Sequence, residues 1–296
     1  MTRLLPSMLY VPGGDKRKLA KLPALSVRAV ILDLEDAVAV ATKERARDAV
    51  AGLVSHQIAG PEIFVRVNSA PASHLYDDLH AVVAPGLSGV VLPKTTVAAD
   101  VERVDWLIGI LEARSGLPPG SIRLMPTIES VRGVENAADI AAASPRVQCL
   151  AFGAGDFSLD VGLDWPQPGG GVSPSVLQAK QELVFASRSA GVQAPHDGVY
   201  PLFRDLEGLR LETKQAASVG MFGKHAIHPS QVPVIDEVFR PGETRVRQAK
   251  EVLERFRVSE AAGTANIEVN GLFIDYPVAQ RAEELLRLAE DLGDHS

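Results

Sequence analysis

The chain has 296 residues, of which 46% are hydrophobic and 23% charged, a balance that excludes a disordered protein and fits one large domain with an appendage. A net charge of -7 with a pI near 5.6, and no basic run interleaved with aromatics, excludes nucleic acid as a partner. The single cysteine, Cys149, excludes an internal disulfide and a zinc site built from thiolates.

The N-terminal segment carries no sign of a targeting sequence. Its short apolar stretch is broken by Pro6 and Pro12 and lacks a signal-peptide core and cleavage site. No apolar run in the sequence reaches the ~18 residues that a membrane-spanning helix needs. We therefore expect a cytoplasmic protein without a membrane partner.

Short apolar runs rich in β-branched residues recur along the chain, and each precedes a stretch with helical periodicity. The eight predicted strands are Met8–Val11, Val30–Leu34, Ile63–Val67, Val90–Leu92, Arg123–Thr127, Gln148–Phe152, Val192–Pro195 and Met221–Lys224. This pattern predicts a (β/α)8 TIM barrel over residues 1–238. The alternative is a doubly wound open sheet, which needs a G-x-G-x-x-G turn that the sequence after the first strand does not supply.

The pattern changes after Phe239. A surface helix is predicted over 243–256, an extended or hairpin-like segment over 266–274 and a final helix over 278–292. Residues 239–296 are therefore expected to form a C-terminal helical extension that packs on the barrel or on a neighbouring subunit. Within the barrel, the glycines at 169–171 predict a flexible loop.

Two acidic residues close neighbouring strands of the predicted barrel. Glu129 follows the fifth strand and Asp156 follows the sixth, so both carboxylates are expected at the rim where barrel active sites are built. Magnesium takes one or two carboxylates and keeps positions open for water and substrate oxygens, which such a pair would allow. The alternative is that each acid caps the helix after its strand.

Arg66 ends the third predicted strand between apolar residues, where a buried guanidinium needs an anionic partner. It is expected to face the rim, where it would bind a substrate carboxylate or stabilise an oxyanion. The alternative is a salt bridge with Glu35 or Asp36. Those two acids are expected to order metal-bound waters or to fix Arg66, and Asp33 is interpreted as structural.

Eight motifs stand in order along the chain: SMLYVPG, LDLEDAV, FVRVN, VLPKT, MPTIES, FGAGDF, AIHPSQ and LFIDYP. Together they resemble the HpcH/HpaI aldolase and citrate lyase β-chain superfamily, especially its citrate lyase β-like and malyl-CoA or citramalyl-CoA lyase branch. The resemblance covers about the first 280 residues. It implies that Glu129 and Asp156 ligate Mg²⁺ and that Arg66 contacts the reacting oxygen or carboxylate.

The resemblance also implies which residues lie near the thioester of the substrate and its nucleotide handle. These are the residues around Tyr10, Pro12 and Gly13, together with Lys16 and the segment 223–228. Lys94, at the end of the fourth strand, and His228 are assigned to the same binding set. For His225 and His228 the alternative is helix capping and loop hydrogen bonding.

Asp275 lies in the extension and is the predicted general acid or base. The resemblance implies that this aspartate reaches the site of a neighbouring subunit in a homotrimer or a hexamer. The alternative is that Asp275 caps the last helix, with Pro277 in its first turn, and both roles are compatible. Tyr276 departs from relatives, which often carry a basic residue there.

These expectations combine into one reaction class. The predicted enzyme is a magnesium-dependent carbon–carbon lyase that catalyses reversible aldol or Claisen-type cleavage of a short hydroxyacyl-CoA thioester such as malyl-CoA or citramalyl-CoA. One alternative is a citrate lyase β-type subunit that acts on a carrier-bound citryl thioester. Another is a class II pyruvate aldolase that acts on free keto-acids.

Overall fold

The computed structural model describes residues 4–57, 60–69, 73–166, 171–264, 266–269 and 271–293. The described chain divides into two compact units, one of Leu5–Asp236 and one that contains the C-terminal residues from Glu237 onward. Gly169 and Gly170 of the predicted loop lie outside the described residues. Within the described ranges, no helix has both the length and the apolar character needed to cross a membrane.

A curled parallel sheet of seven strands forms the centre of the first unit. Its strands lie in the order β6-β5-β4-β3-β2-β1-β7, so β1 pairs with both β2 and β7. They are β1 (Ser7–Pro12), β2 (Ala29–Asp33), β3 (Glu62–Arg66), β4 (Gly89–Leu92), β5 (Arg123–Ile128), β6 (Ala151–Phe152) and β7 (Lys224–Ala226).

Helices cover the outside of this sheet, which explains why the strands are continuous apolar runs rather than alternating ones. The inner face is filled by side chains from several strands, among them Met8, Ile31, Phe64, Val91 and Met125. The helices are α1 (Lys16–Leu19), α2 (Lys43–Ser55), α3 (His74–Val82), α4 (Ala98–Arg114), α5 (Val131–Glu135), α6 (Ala137–Ala142), α7 (Ala154–Asp160), α8 (Pro174–Ala190), α9 (Leu206–Ser218) and α10 (Val232–Phe239).

The predicted strand Val192–Pro195 is the part of the fold that differs from expectation. Helix α8 ends in a left-handed Gly191 with φ 72°, and Pro195 has no N–H to donate to a ladder. Gln193 N–H donates to the Gln148 carbonyl at 3.0 Å, and His196 forms an isolated parallel bridge with Ala151. The eight predicted strands are therefore seven strands and a short bridging segment.

Asp197 continues this bridging segment and pairs with Lys224 in a second isolated parallel bridge. The last strand begins at Lys224 rather than at Met221. The reason is that Gly220 and Gly223 have φ values of 100° and 115°, which interrupt an extended run. The bridging segment thus lies between β6 and β7 and contacts both.

Four charged side chains surround the bridging segment, and we call them the seam cluster: Lys180, Asp197, Glu212 and Lys224. The Nζ atom of Lys180 lies 2.7 Å from one oxygen of Asp197, and that of Lys224 lies 2.5 Å from the other oxygen. Lys224 also contacts Glu212 at 2.7 Å. Burial would raise the pKa of Asp197, but the two lysines lower it to about 2.

The second unit contains two helices and a hairpin. Helices α11 (Glu243–Ala261) and α12 (Tyr276–Gly293) flank the antiparallel strands β8 (Ile267–Val269) and β9 (Leu272–Ile274). Its apolar core includes Leu253 and Phe256 of α11 and Ile274 of β9. This unit therefore has a core of its own.

Candidate active site

A cavity of 710 Å³ opens at the carboxyl edge of the parallel sheet. This is the edge where the loops of parallel βα units meet and where such folds bind ligands. Six of the predicted site residues line the cavity: Tyr10, Pro12, Asp36, Arg66, Glu129 and Asp156.

Arg66 is held at the cavity wall by Asp33 and Glu35. Its Nε and Nη2 atoms donate to the two oxygens of Asp33 at 2.8 and 2.7 Å, and its Nη1 lies 3.0 Å from Glu35 Oε2. The Oδ2 atom of Asp36 lies 3.7 Å from the same Nη1, and the guanidinium carbon lies 4.9 Å from the ring centroid of Tyr10. The bidentate partner is therefore Asp33, which the sequence pattern had indicated only as a structural residue.

Glu35 is buried beneath the rim and shares its carboxylate between two cations. Its Oε1 accepts from Lys94 Nζ at 2.7 Å while Oε2 faces Arg66. Burial raises the pKa of Glu35, and the positive charges of Arg66 and Lys94 oppose this increase. Asp36 is exposed and lies 3.3 Å from Lys94 Nζ. Through these contacts Glu35 and Asp36 orient the side chains of Arg66 and Lys94.

A buried lysine fixes the turn that carries these acids. Lys43 Nζ donates to the backbone carbonyls of Leu34 and Glu35 at 2.8 and 2.9 Å. Asn68 Nδ2 donates to the same Leu34 carbonyl at 3.1 Å. Side chains of α2 and of the segment after β3 thus stabilise the turn after β2 by hydrogen bonds to its backbone.

Glu129 is buried and lines the same cavity as Arg66. Its Oε1 accepts the backbone N–H of Lys94 at 2.5 Å, and Lys94 adopts a left-handed φ of 52° in doing so. A Cβ atom on Gly153 would lie 2.5 Å from the Glu129 Cβ, so glycine is required there. Burial raises the pKa of Glu129 to about 8, and the charge of Asp156 adds to this increase.

Asp156 lies in the first turn of α7 and lines the same cavity as Glu129. Both also line an adjoining pocket with Lys94. We call Glu129 and Asp156 the acid pair. Neither acts as a helix cap: Ser130 caps α5 by accepting from Gly133 N, and α7 begins without a side-chain cap. The capping interpretation is therefore wrong for both acids.

The chemistry of the acid pair fits magnesium. Within the described ranges, no group of three or more histidine, cysteine or acidic residues could hold a metal ion. Two oxygen ligands beside an open cavity suit Mg²⁺, which keeps several waters, better than a metal that needs a full protein cage. The mutual repulsion that raises the Glu129 pKa is also what a divalent cation would relieve.

Four predicted binding residues do not line the cavity, and one of them, Lys94, lines the adjoining pocket instead. Gly13 packs against β2, where a Cβ atom would lie 2.8 Å from the carbonyl oxygen of Asp33. Lys16 is exposed on α1, and Lys18 from the same helix lines the cavity instead. His228 stacks on Phe203 and accepts from Ser230 N at 3.2 Å, as the capping alternative proposed.

Asp275 begins α12 in the second unit. Its Oδ1 accepts from Val278 N at 3.2 Å and its carbonyl oxygen accepts from Ala279 N at 2.9 Å. The helix-capping role considered for this aspartate is confirmed. This contact leaves the second carboxylate oxygen of Asp275 outside the cap.

Several residues of the cavity were not predicted from the sequence. Asp33 faces Arg66 in strand register, a relation visible once both are placed at the last position of adjacent strands. Gly153 was readable as a close approach within the glycine-rich FGAGDF motif. Thr127 also lines the cavity, and only the inward alternation of barrel strands would have indicated it. His225 lines the cavity too and lies in the segment 223–228 that the resemblance had placed near the substrate.

A curled parallel α/β sheet with buried acids and an arginine around one open cavity defines the class of this protein as an α/β enzyme with a polar cleft at the carboxyl edge of its strands. The family model described as HpcH/HpaI aldolase/citrate lyase matches residues 6–229. The chain belongs to this family, as its motifs predicted, and it is an enzyme of the lyase type.

Relatives match over nearly the whole chain. The citrate lyase subunit beta of Leuconostoc mesenteroides subsp. cremoris is 32% identical over 97% of this chain and 94% of its own length. The L-malyl-CoA/beta-methylmalyl-CoA lyase of Rhodobacter capsulatus is 33% identical over 97% and 95%. The crystal structure of CitE from Mycobacterium tuberculosis, in complex with magnesium, acetoacetate and coenzyme A, superimposes with a TM-score of 0.78 at 29% identity, covering 97% and 98% of the two chains.

Proposed function

We propose that this protein is a magnesium-dependent carbon–carbon lyase that cleaves a short hydroxyacyl-CoA thioester such as citramalyl-CoA or malyl-CoA. The observation that supports this proposal best is the acid pair, two carboxylates that line one cavity together with a fixed arginine. The malyl-CoA lyase relative and the CitE complex with magnesium and coenzyme A support the same class of substrate and cofactor.

Glu129 and Asp156 are the proposed magnesium ligands. When bound, Mg²⁺ supplies Lewis-acid stabilisation of negative charge on substrate oxygens. Arg66 donates to the hydroxyl oxygen that becomes the carbonyl oxygen or to the substrate carboxylate. Asp33 and Glu35 orient its guanidinium before the substrate arrives, so little reorganisation is needed during the reaction.

In the proposed cleavage, the bond between the hydroxyl-bearing carbon and the carbon next to the thioester breaks. The hydroxyl group loses its proton as its carbon becomes a carbonyl, and the electron pair of the broken bond remains on the carbon next to the thioester as an enolate. Asp275, in its protonated form, delivers a proton to that carbon. We propose that this Asp275 comes from a neighbouring subunit of a homotrimer or hexamer. The capping contact through one carboxylate oxygen leaves the other free for proton transfer.

The remaining binding residues are assigned by the same scheme. Tyr10 and Pro12 would contact the acyl part of the thioester at the cavity wall, and Lys16 and His228 its distal part. Lys94 would act through Glu35 and Glu129. We further propose that the bridging segment completes a closed eight-position barrel over residues 1–238, to which residues 239–296 are appended.

The experiment that tests this function measures cleavage of citramalyl-CoA and malyl-CoA by the purified chain, with and without Mg²⁺. Wild type is expected to release acetyl-CoA only with the metal, and Glu129→Ala and Asp156→Ala are expected to lose at least about 1000-fold in kcat because each removes a ligand. Asp139→Ala, an exposed acid on α6, is the matched control.

Retained magnesium-dependent turnover in both acid-pair variants would contradict the metal assignment. The citrate lyase β relative makes a carrier-bound citryl substrate the second candidate. Turnover of free CoA thioesters without a partner protein would argue against that candidate. Cleavage of free keto-acids alone would indicate a class II pyruvate aldolase instead.

A further inference from the structure

Three side chains form the bottom of the cavity, and we call them the floor: Tyr10, Thr127 and His225. They come from β1, β5 and β7 and point to the inside of the curled sheet. Thr127 is 7% exposed and His225 is 3% exposed. The floor is therefore a built surface beneath the acid pair and Arg66, assembled from strand residues rather than from loops.

Two polar atoms of the floor have no hydrogen-bond partner within the part of the chain that the structure describes. They are Oγ1 of Thr127 and Nε2 of His225. Leaving a buried polar atom unpaired is unfavourable, and native proteins do so where a ligand or an ordered water supplies the partner. Both atoms belong to residues that line one cavity, which makes this part of the cavity suited to a bound group with oxygen atoms.

The floor is polar but carries no positive charge. His225 packs edge to face against the rings of Tyr10 and His196, with centroids 5.4 and 5.6 Å apart. Burial and the neighbouring His196 lower its pKa well below the usual value, so the imidazole is neutral. Arg66 and Lys18 are the cations among the described residues that line the cavity, and Lys18 lies 3.7 Å from Asp15 on α1.

We propose that Thr127 and His225 determine substrate specificity: they bind an oxygen of the acid portion of the thioester through neutral hydrogen bonds, and the uncharged floor selects an acid portion with one carboxylate over one with two. This inference rests on the proposed lyase function and narrows its substrate class. Among the described residues, Arg66 is the cation at the inner wall that is placed to meet a substrate carboxylate. A second carboxylate would be buried against the floor without a counter-ion.

A matched pair of thioesters tests the selection directly. Citramalyl-CoA and citryl-CoA differ only in a methyl group replaced by a carboxymethyl group, and cleavage gives acetyl-CoA with pyruvate or oxaloacetate. Wild type is expected to prefer citramalyl-CoA by at least about 100-fold in kcat/KM. Equal turnover of the two, or a preference for citryl-CoA, would overturn the inference and leave the lyase function standing.

If malyl-CoA and both of these thioesters are left uncleaved, the proposed function fails, and direct binding still decides the inference. Calorimetric titration with Mg²⁺ and either pyruvate or oxaloacetate needs no turnover. The floor is expected to give pyruvate a Kd at least tenfold lower than that of oxaloacetate. A Kd for oxaloacetate equal to or lower than that for pyruvate would contradict the selection independently of catalysis.

Isosteric variants test the two residues. Thr127→Val and His225→Phe keep shape and remove the unpaired atoms, so each is expected to weaken pyruvate binding roughly 5- to 100-fold. Thr127→Ser keeps the hydroxyl and should stay within about threefold of wild type. The Tm should stay equal or rise, because an unpaired buried atom has been removed.

A loss of pyruvate binding that Thr127→Ser shares with Thr127→Val would show that packing, and not the hydroxyl, matters at this position. Undiminished binding in both Thr127→Val and His225→Phe would likewise overturn the inference. A fall of several degrees in Tm together with weaker binding would assign these side chains a structural role instead.

Discussion

The seam cluster and the acid pair are two groups of buried and partly buried charged residues that differ in how their charges are balanced. In the seam cluster each carboxylate has a lysine within 2.7 Å, and the four charges sum to zero. In the acid pair Glu129 receives one backbone N–H, and its neighbour carries a charge of the same sign. The first arrangement is complete within the protein, whereas the second needs a cation.

The pKa directions express the same difference. The pKa of Asp197 is lowered to about 2, so folding favours its charged form. The pKa of Glu129 is raised to about 8, so folding favours its neutral form. At neutral pH the paired charges of the seam cluster therefore increase the free energy of unfolding. The acid pair lowers it, and this unfavourable interaction is one that a bound cation would relieve.

Breaking the seam cluster is expected to have the largest effect on stability. Lys224→Met leaves Glu212 without its lysine and Asp197 with one partner, so the free energy of unfolding should fall by about 3–5 kcal/mol. Urea unfolding measures this loss. Lys214→Met, on the exposed side of α9, is the control and should stay within about 0.5 kcal/mol of wild type.

Adding Glu212→Gln to Lys224→Met removes one unpaired carboxylate and should recover part of the loss. A single Lys224→Met variant as stable as the Lys214→Met control would show that the seam cluster does not hold the bridging segment. The seam cluster would then no longer be the self-sufficient counterpart of the acid pair.

Removing the charge of Glu129 should raise the free energy of unfolding rather than lower it, by an amount that depends on pH. The pKa of Glu129 rises from the ordinary glutamate value of 4.5 to about 8. Its stabilising contribution is complete below pH 4.5 and is lost as the pH rises through 8. Without metal, Glu129→Gln should therefore raise the free energy of unfolding by about 1–3 kcal/mol at about pH 8.5 and change it little at about pH 4.5.

Urea unfolding at the two pH values, with Asp139→Asn as the exposed control, measures this difference. A stability gain of the same size at both pH values would contradict the raised pKa. Mg²⁺ should stabilise wild type at about pH 8.5 and leave Glu129→Gln nearly unchanged, since the variant lacks one of the two proposed ligands.

Gly153→Ala should lower stability by no more than Glu129→Gln raises it, and it should have a specific effect on the acid pair. The added methyl would lie 2.5 Å from the Glu129 Cβ, so the carboxylate must shift. Overpacking of this kind costs about 1–3 kcal/mol, and the Mg²⁺ Kd should rise at least about tenfold. Gly155→Ala, whose nearest contact is Trp165 at 3.2 Å, is the matched control.

Unchanged Mg²⁺ affinity in Gly153→Ala would show that the carboxylate position is not set by this contact. A loss shared equally by Gly155→Ala would indicate a general disturbance of α7 rather than of Glu129. Either result would separate the acid pair from the packing that surrounds it.

The strands were predictable because helices cover their outer face and side chains fill the inner one, which makes them continuous apolar runs. The predicted bounds of β1 to β4 agree with the structure to within two residues. The sixth strand was predicted from Gln148 and is shorter, beginning at Ala151. Around Val192–Pro195 apolar content predicted a strand, whereas the structure has backbone hydrogen bonds at Gln193 and Pro195 and isolated bridges rather than a continuous ladder.

The site was predictable at positions where a charged side chain follows an apolar strand. Glu129, Asp156 and Arg66 line one cavity as expected. Their partners were not predictable from composition. Asp33 accepts from Arg66 on the neighbouring strand, and Lys94 donates to Glu129 through its backbone N–H. Such contacts depend on strand register and on a left-handed backbone, which short sequence patterns do not encode.

The pairing of β1 with β7 has a consequence for biosynthesis. Ser7 pairs with Lys224, so one edge of the first strand stays unpaired until most of the chain has left the ribosome. At about 5–20 residues per second this interval lasts roughly 10–40 s, during which an apolar strand edge is open to wrong partners. Chaperone dependence during translation should therefore concentrate on the nascent N-terminal strand.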